Sequence, residues 1–410
     1  MKTIIFLEEA WTGHRPIFLK LFNKVVLELG YQVITFCPQP KELEAWLKEN
    51  CQSQEGQYTL FEFHRPVSSQ LPNPKEDAIF KAVNLWQTAK QAVDGAFQQL
   101  GKPIDHLVFF GVLDGYLATG LTPDEIDKIF PYSWTGLYFN PRHLRMQPQD
   151  WSLVPDLGQP HAGLYSANCS ALAVLDEGIT NQLEKQLHSK SVSVFPDCVD
   201  VLAPNLDFPL LSLIQQKAKG RKIVGLLGSQ SKRKSIFTLV EVAQQMATED
   251  FFFIFIGPLY PKTFTKEEHT KLLELISLNL DNCLFYLDVI QEADINGLVY
   301  ICDVLFAAYE KFPHSSNTLN RAAAYKKPII VSENYCMEER VNKYNLGISV
   351  QETNAEDTIK AIRHLSKHPL RNPHFQGYLD QHTLPKLSDA FNRVLTECLK
   401  IDVPSEVEQL

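Results

Sequence analysis

Apolar residues recur along this chain in two rhythms: short, near-continuous runs, and longer stretches with an apolar residue every three or four positions. The first rhythm belongs to buried strands and the second to amphipathic helices. The first half opens with the strand "TIIFL". The stretch "WTGHRPIFLKLFNKVVLELG" follows, with Phe18, Leu21, Phe22, Val25, Val26 and Leu29 on one helical face. Gly30 ends that helix, and "YQVITFCP" is the next strand. A further strand lies in "YTLFEF". Residues 75–100 then read as a long amphipathic helix through Ile79, Val83, Trp86, Val93 and Phe97. "HLVFFGVL", "WTGLYF" and "ALAVLD" are short apolar strands, the helical "EGITNQLEKQL" comes after the last of them, and "VSVFPD" closes the half.

Residues 197–220 carry prolines and few periodic signals, and read as the connection between domains. Beyond them the alternation is more regular. The strands "KIVGLLG", "FFFIFIG", "CLFYLD", "DVLFAAY", "PIIVS" and "GISV" are separated by helical stretches, the first packing Ile236, Leu239, Val240, Ala243 and Met246. Near-continuous apolar strands joined by helices indicate a parallel sheet covered on both faces. The expected class is therefore α/β, two Rossmann-like domains facing across a cleft. The boundaries are 1–198, 199–385, and 386–410 for a closing helix and its tail. In that helix Leu387, Phe391, Val394, Leu395 and Leu399 form the buried face, and the tail after Ile401 is polar and loose.

Composition narrows the function classes. A chain of 410 residues is long enough for about two cores. A formal net charge of −9 argues against a general polyanion binder, because nucleic-acid affinity comes mainly from neutralised phosphates, and leaves room for a local basic patch. The eight cysteines show no C-x-x-C spacing and several sit in apolar runs, so they read as reduced, buried thiols. The apolar run at residues 4–7 is too short for a signal-peptide core, and no run reaches the roughly 18 apolar residues of a membrane span. The expected location is cytoplasmic, with peripheral membrane contact left open.

Open parallel sheets bind ligands beyond the carboxyl ends of their strands, so the residues just after strands carry the chemistry. In "GLLGSQSKRKSIF" the strand ends at Gly228, and Ser229, Lys232, Arg233 and Lys234 lead into a helix. Cations oppose the dipole at a helix's amino end unless an anion sits there, so the loop suits a phosphate. In "YEKFPHSSNTLNRAAAYKKPIIVS" a helix follows Ser315, Ser316, Asn317 and Thr318. One such residue suffices as a cap, whereas a cluster with free N–H groups can cradle a diphosphate. Glu310 cannot do that, but a carboxylate accepts bonds from sugar hydroxyls. In the first half Gly13 and His14 start the first helix. Asp114 follows the strand of "HLVFFGVL", and Asn140, Arg142 and His143 lie in "YFNPRHLR".

This order of pieces resembles a GT-B glycosyltransferase. Its second half is similar to the retaining, nucleotide-sugar-dependent family that includes sucrose and glycogen synthases and bacterial mannosyltransferases, the glycosyl transferases group 1. The segments that carry the likeness are "GLLGSQSKRKS", "CLFYLDVIQEADINGLVYICDVLFAAY" and "LNRAAAYKKPIIVSENYCMEERVNKYNLGISV". The resemblance puts Lys234 at the family's diphosphate-binding lysine and Ser229 where an arginine is common. It puts Ser316, Asn317 and Thr318 against the donor's β-phosphate. It also departs from the family. The paired glutamates are spaced Glu-x7-Glu, but counting from Glu310 reaches Thr318, and anchoring on Pro328 puts Arg321 at the second glutamate. The glycine that precedes Thr-Pro in the family is Lys326 here. Bacterial sugar transferases with a Ser-Ser-Gly version of the loop and an arginine on the helix are similar in this respect.

What the resemblance implies is transfer of a hexosyl group from a nucleotide diphosphate sugar to a hydroxyl acceptor (glycan, lipid or small molecule), with retention and without a metal. The nucleotide sugar is then a co-substrate and no further cofactor is expected. Asp114, His143 and Glu310 become the catalytic candidates, and Gly13, His14, Asn140 and Arg142 the acceptor-side loops. Two alternatives stay open: a non-catalytic GT-B scaffold or partner subunit, which the missing second glutamate permits, and a sugar-nucleotide epimerase on the same fold.

Overall fold

The computed structural model describes residues 2–66, 71–117, 120–146, 162–188, 190–198 and 203–399. The tail after Ile401 lies outside them. The chain divides into two compact units, Met1–Cys198 with Thr383–Leu410, and Val199–His382.

The first unit holds strands β1 (Thr3–Leu7), β2 (Gln32–Cys37), β3 (Tyr58–Glu62), β4 (His106–Phe110), β5 (Trp134–Tyr138), β6 (Ala171–Val174) and β7 (Ser191–Val194). They form one parallel sheet in the order β3-β2-β1-β4-β5-β6-β7. Side chains alternate across it, as the two-residue period of a strand requires. Ile5, Leu7, Val108 and Phe110 join one core with Trp86, while Ile4, Phe6, Leu107 and Phe109 join another. The first core is covered by the helix Pro74–Leu100, whose Asn73 cap accepts from the amide of Lys75. Trp86 packs there against Phe110, Tyr116, Phe130 and Trp134. The second core is covered by the helices Arg15–Glu28 and Leu384–Cys398. Phe391 of the latter lies 4.7–6.1 Å, ring centre to ring centre, from Phe6, Phe22, Phe109 and Phe195.

The second unit holds β8 (Lys222–Leu227), β9 (Phe251–Ile256), β10 (Cys283–Tyr286), β11 (Val304–Ala307), β12 (Ile329–Ser332) and β13 (Gly347–Val350). They pair in parallel in the order β10-β9-β8-β11-β12-β13. Counted within the unit this is 3-2-1-4-5-6, the order of a doubly wound Rossmann sheet, and the first six strands of the other unit repeat it. The expectation of two Rossmann-like domains is met. In both sheets the order reverses between the first and fourth strands, which makes a topological switch point there.

Two readings need correction. Residues 209–218, read as part of a connection, form the helix Pro209–Ala218, and Leu210, Leu211, Ile214 and Ala218 bury into the second core. Its proline occupies the first turn, where a missing N–H costs nothing, so a residue that looked like a loop signal is a helix start. Lys232–Lys234 is a separate 3-10 turn and not the first turn of the following helix, Ile236–Gln245. Ser235 between them takes φ +55°, a left-handed conformation that interrupts the α-helical path. The eight cysteines are all free, and burial pushes six of them (Cys37, Cys169, Cys198, Cys283, Cys302 and Cys398) up to about 12, so these thiols are inert.

Candidate functional site

At the switch point of the second sheet, the loops after β8 and β11 are joined directly. The amide of Glu310 donates to the carbonyl of Arg233 at 2.8 Å. Gly228 ends β8 with φ +87°, which favours glycine, and a Cβ there would sit 3.5 Å from the ammonium of Lys234. Gly257 ends β9 at φ +127°, and a Cβ there would collide with the Gly228 carbonyl. Gln230, fully buried, sews these two strand ends together. Its Nε2 donates to the carbonyls of Leu226, Gly228 and Ile256, and its own amide donates to Pro258.

Lys234 is buried in this seam. Its Nζ donates to the carbonyl of Leu227 at 2.9 Å and to the Tyr309 hydroxyl at 2.9 Å. An ammonium carries three donors, so among the described residues one proton remains without a hydrogen-bond partner. The Tyr309 hydroxyl in turn lies 3.0 Å from Thr318 Oγ1, in the first turn of the helix Asn317–Ala324. Burial pushes the Tyr309 phenol up, but the charge of Lys234, with the bonds from Lys234 and to Thr318, outweighs it and holds the group below its usual value.

The polar run before that helix is not four equivalent caps. Ser316 is the cap, accepting from the amide of Thr318 at 3.3 Å. Ser315 Oγ accepts from Arg340 at 2.6 Å, and Arg340 is itself 1 % exposed. Asn317 keeps a buried Oδ1 without a hydrogen-bond partner among the described residues, and Thr318 faces Tyr309.

The neighbouring cations are otherwise engaged. Lys232 pairs with Glu268 at 2.5 Å, and Glu268 also closes a capping box with Thr265. The Arg233 guanidinium lies 4.3 Å from the ring centre of Phe312 and 5.7 Å from that of Tyr309. Arg321 forms an ion pair with Glu292. Ser229 is half-buried on the same loop. Glu310 follows β11 by three positions, its carboxyl raised by burial against the pull of Lys232. The structure thus brings together Gly228, Lys234 and Thr318, and directs Lys232 and Arg321 to carboxylates.

The first sheet's switch point is built differently. Glu8 and Glu9 directly follow β1, at 2 % and 6 % exposure. Glu8 Oε1 accepts from the amide of Ala10 at 3.0 Å and from Arg15 at 2.6 Å. Glu9 Oε1 lies 3.5 Å from Arg65 and 3.9 Å from Arg15, while its Oε2 is buried with no hydrogen-bond partner among the described residues. Burial raises both carboxyls despite the arginines. Gly111, after β4, makes room: a Cβ there would be 2.7 Å from Glu8 Oε2. The sequence reading passed over Glu8 and Glu9. The signal available was two acids set directly against an apolar strand.

Asp114 spends both oxygens on backbone, accepting from the amides of Phe139 (2.9 Å) and Asn140 (2.7 Å) and so tying the β4 and β5 ends together. Burial raises its carboxyl as well. His143 Nδ1 lies 3.0 Å from the Tyr138 hydroxyl, and its ring stacks on that of Tyr138. Arg142 donates its amide to the carbonyl of Asn140 at 2.7 Å. Gly13, at φ +63°, and His14 are exposed, with His14 beside Phe18.

Comparison with known proteins agrees with this architecture. Residues 210–378 match the family described as glycosyl transferases group 1. HepE from Anabaena, solved in complex with UDP, has a TM-score of 0.64 at 14% identity over 97% of this chain and 100% of its own. A glycosyltransferase from Rickettsia africae gives 0.65 at 15% over 98% and 99%. Sucrose-phosphate synthase from Thermosynechococcus elongatus gives 0.67 at 14% over 96% and 98%. At such identities the likeness is one of fold. No curated protein sequence matches the chain. Among the described residues no helix is long and apolar enough to cross a membrane.

Proposed function

We propose that this chain, a glycosyltransferase through the group 1 domain at residues 210–378, moves a hexosyl group from a nucleotide diphosphate sugar to a hydroxyl acceptor. What supports this most is the meeting, at one sheet edge, of an unspent lysine proton and the amino end of a helix. Both favour anions, and neither suits a cationic ligand. HepE was solved with UDP, which supports a uridine diphosphate donor.

In the reaction, negative charge grows on the departing diphosphate as the anomeric bond breaks. Lys234 and the helix mouth at residues 316–318 stabilise that charge more than they stabilise the intact donor. One well-aimed donor of this kind is worth roughly 3–4 kcal/mol. Their positive charge takes the part that a divalent ion plays elsewhere, so the proposed reaction runs without a metal. Glu310 accepts bonds from the donor's sugar hydroxyls, and Gly228 and Ser229 let its phosphates approach the backbone. Asp114 positions the loop bearing Asn140, Arg142 and His143, on the acceptor side together with Gly13 and His14. Retention at the anomeric carbon is supported by the resemblance to the group 1 family.

The test is calorimetry and turnover with the purified full chain, offering UDP, GDP, ADP and their glucose and mannose conjugates. One diphosphate is expected to bind well above its nucleoside, and its sugar conjugate to be consumed with release of that diphosphate. A protein that binds none of them, or that isomerises the sugar and releases nothing, sinks the proposal.

A further inference from the structure

Resting on the donor site just assigned, we infer that Tyr309 is a positioning residue that sets the direction of the hydrogen bonds there. It accepts from Lys234 and donates to Thr318, and so leaves the Thr318 hydroxyl as a donor toward the diphosphate.

Proton counting leads to this. An ammonium only donates, so in the 2.9 Å contact between Lys234 and Tyr309 the phenolic oxygen accepts. The phenol has one proton of its own, and among the described residues the other group in bonding distance of its oxygen is Thr318 Oγ1, at 3.0 Å. If Thr318 donated instead, the phenol proton would be left buried with no acceptor, a state that costs about 1–3 kcal/mol. The phenol therefore donates to Thr318. The threonine oxygen is now an acceptor within the protein, and its own proton is unspent. Lys234 likewise keeps its third proton.

The outcome is a short row of donors with the same polarity, the lysine and the threonine hydroxyl, set at the amino end of the helix Asn317–Ala324. Phosphate oxygens accept and do not donate, so they match every position of the row. A protonated amine arriving there meets donors with donors, and a sugar hydroxyl, though it can accept, brings no charge to match the lysine. The phenol is held for the task on all sides. Its ring packs edge-on to Phe312 at 5.4 Å, and its backbone carbonyl accepts from Ser332 Oγ at 2.5 Å. Phenylalanine at 309 preserves that packing and removes only the relay.

The experiment is calorimetry on the full chain with UDP, GDP and ADP and the matching nucleosides. The proteins are wild type, Lys234→Ala, Tyr309→Phe, Thr318→Val, Thr318→Ser and the Tyr309→Phe/Thr318→Val double variant. For the diphosphate that wild type binds best, Tyr309→Phe and Thr318→Val are each expected to cost about tenfold in affinity, the size of one hydrogen bond to a charged group. The double variant should lose little more than either alone, because both cut the same chain. Thr318→Ser should bind as wild type does, and nucleoside affinity should not move. Full diphosphate affinity in Tyr309→Phe, losses that multiply in the double variant, or equal losses for nucleosides would overturn the relay. If Lys234→Ala weakens diphosphates while Tyr309→Phe does not, the relay falls and the donor site stands. If Lys234→Ala has no effect, the donor site itself is misassigned.

Discussion

The two sheets share a strand order and a switch point, yet the two switch points gather different ionisable groups. In the second unit Lys234 and the amino end of the helix Asn317–Ala324 are gathered there. In the first unit it is Glu8, Glu9 and Asp114, three carboxyls that burial raises. Topology fixes where a ligand docks, and the loop residues decide which sign of ligand is welcome. The cationic point suits a diphosphate. The acidic one sets Glu8 and Glu9 against Arg15 and Arg65 and closes Asp114 on two backbone amides, so it is a balanced cluster and not a bare anion.

The contrast breaks most visibly at Lys234. Lys234→Ala is expected to lower diphosphate affinity and transfer rate on the order of a hundredfold, leaving nucleoside binding unchanged. Calorimetry beside steady-state kinetics reads both, and parallel losses for nucleoside and diphosphate would show a collapsed loop in place of a missing charge. At the acidic point the next effect is structural. Asp114→Ala leaves the amides of Phe139 and Asn140 without their acceptor and should destabilise the first unit by about 1–3 kcal/mol. Chemical denaturation measures it, and an unchanged midpoint would mean that water replaces the carboxylate freely.

A pH series sharpens the electrostatic half. With folded values above the ordinary ones, Glu8 and Glu9 hold protons that the unfolded chain has lost. Their contribution to stability is complete below the ordinary glutamate value near 4, and is lost as pH rises through the raised values. The Glu8→Gln/Glu9→Gln variant should therefore gain on wild type as pH climbs from about 4 toward 7. Parallel stability curves would remove the claim that burial controls these groups. The smallest effect belongs to Ser235, whose left-handed backbone and buried, partnerless hydroxyl are both unfavourable. Ser235→Gly should stabilise the second unit by under about 1 kcal/mol, seen as a slightly higher melting temperature. A loss would point to a use for the hydroxyl.

The strands were legible because a parallel sheet covered on both faces needs apolar residues at nearly every position, as in "FFFIFI" and "KIVGLL". Candidate residues after strands were legible from the same logic, and Lys234 and Thr318 do meet at one strand edge. Four things were not. Tyr309 lies just past a strand and reads as core until its hydroxyl is seen between two partners. Gln230 looks like loop filler, yet it binds three carbonyls from two strands. Arg340 lies in a helix remote in sequence from the Ser315 it bonds. The helix Pro209–Ala218 hides behind its proline. Each depends on a partner brought near only by folding, which no local period encodes.

The helix Leu384–Cys398 also bears on how the chain is made. The second unit is one uninterrupted stretch, whereas the first needs a piece synthesised after it. On the ribosome the middle of the chain can mature first, while Phe6, Phe22, Phe109 and Phe195 wait for the ring of Phe391. Until that last helix emerges the amino-terminal sheet keeps a sticky aromatic face, the kind of surface that chaperones shield and that aggregates when left alone.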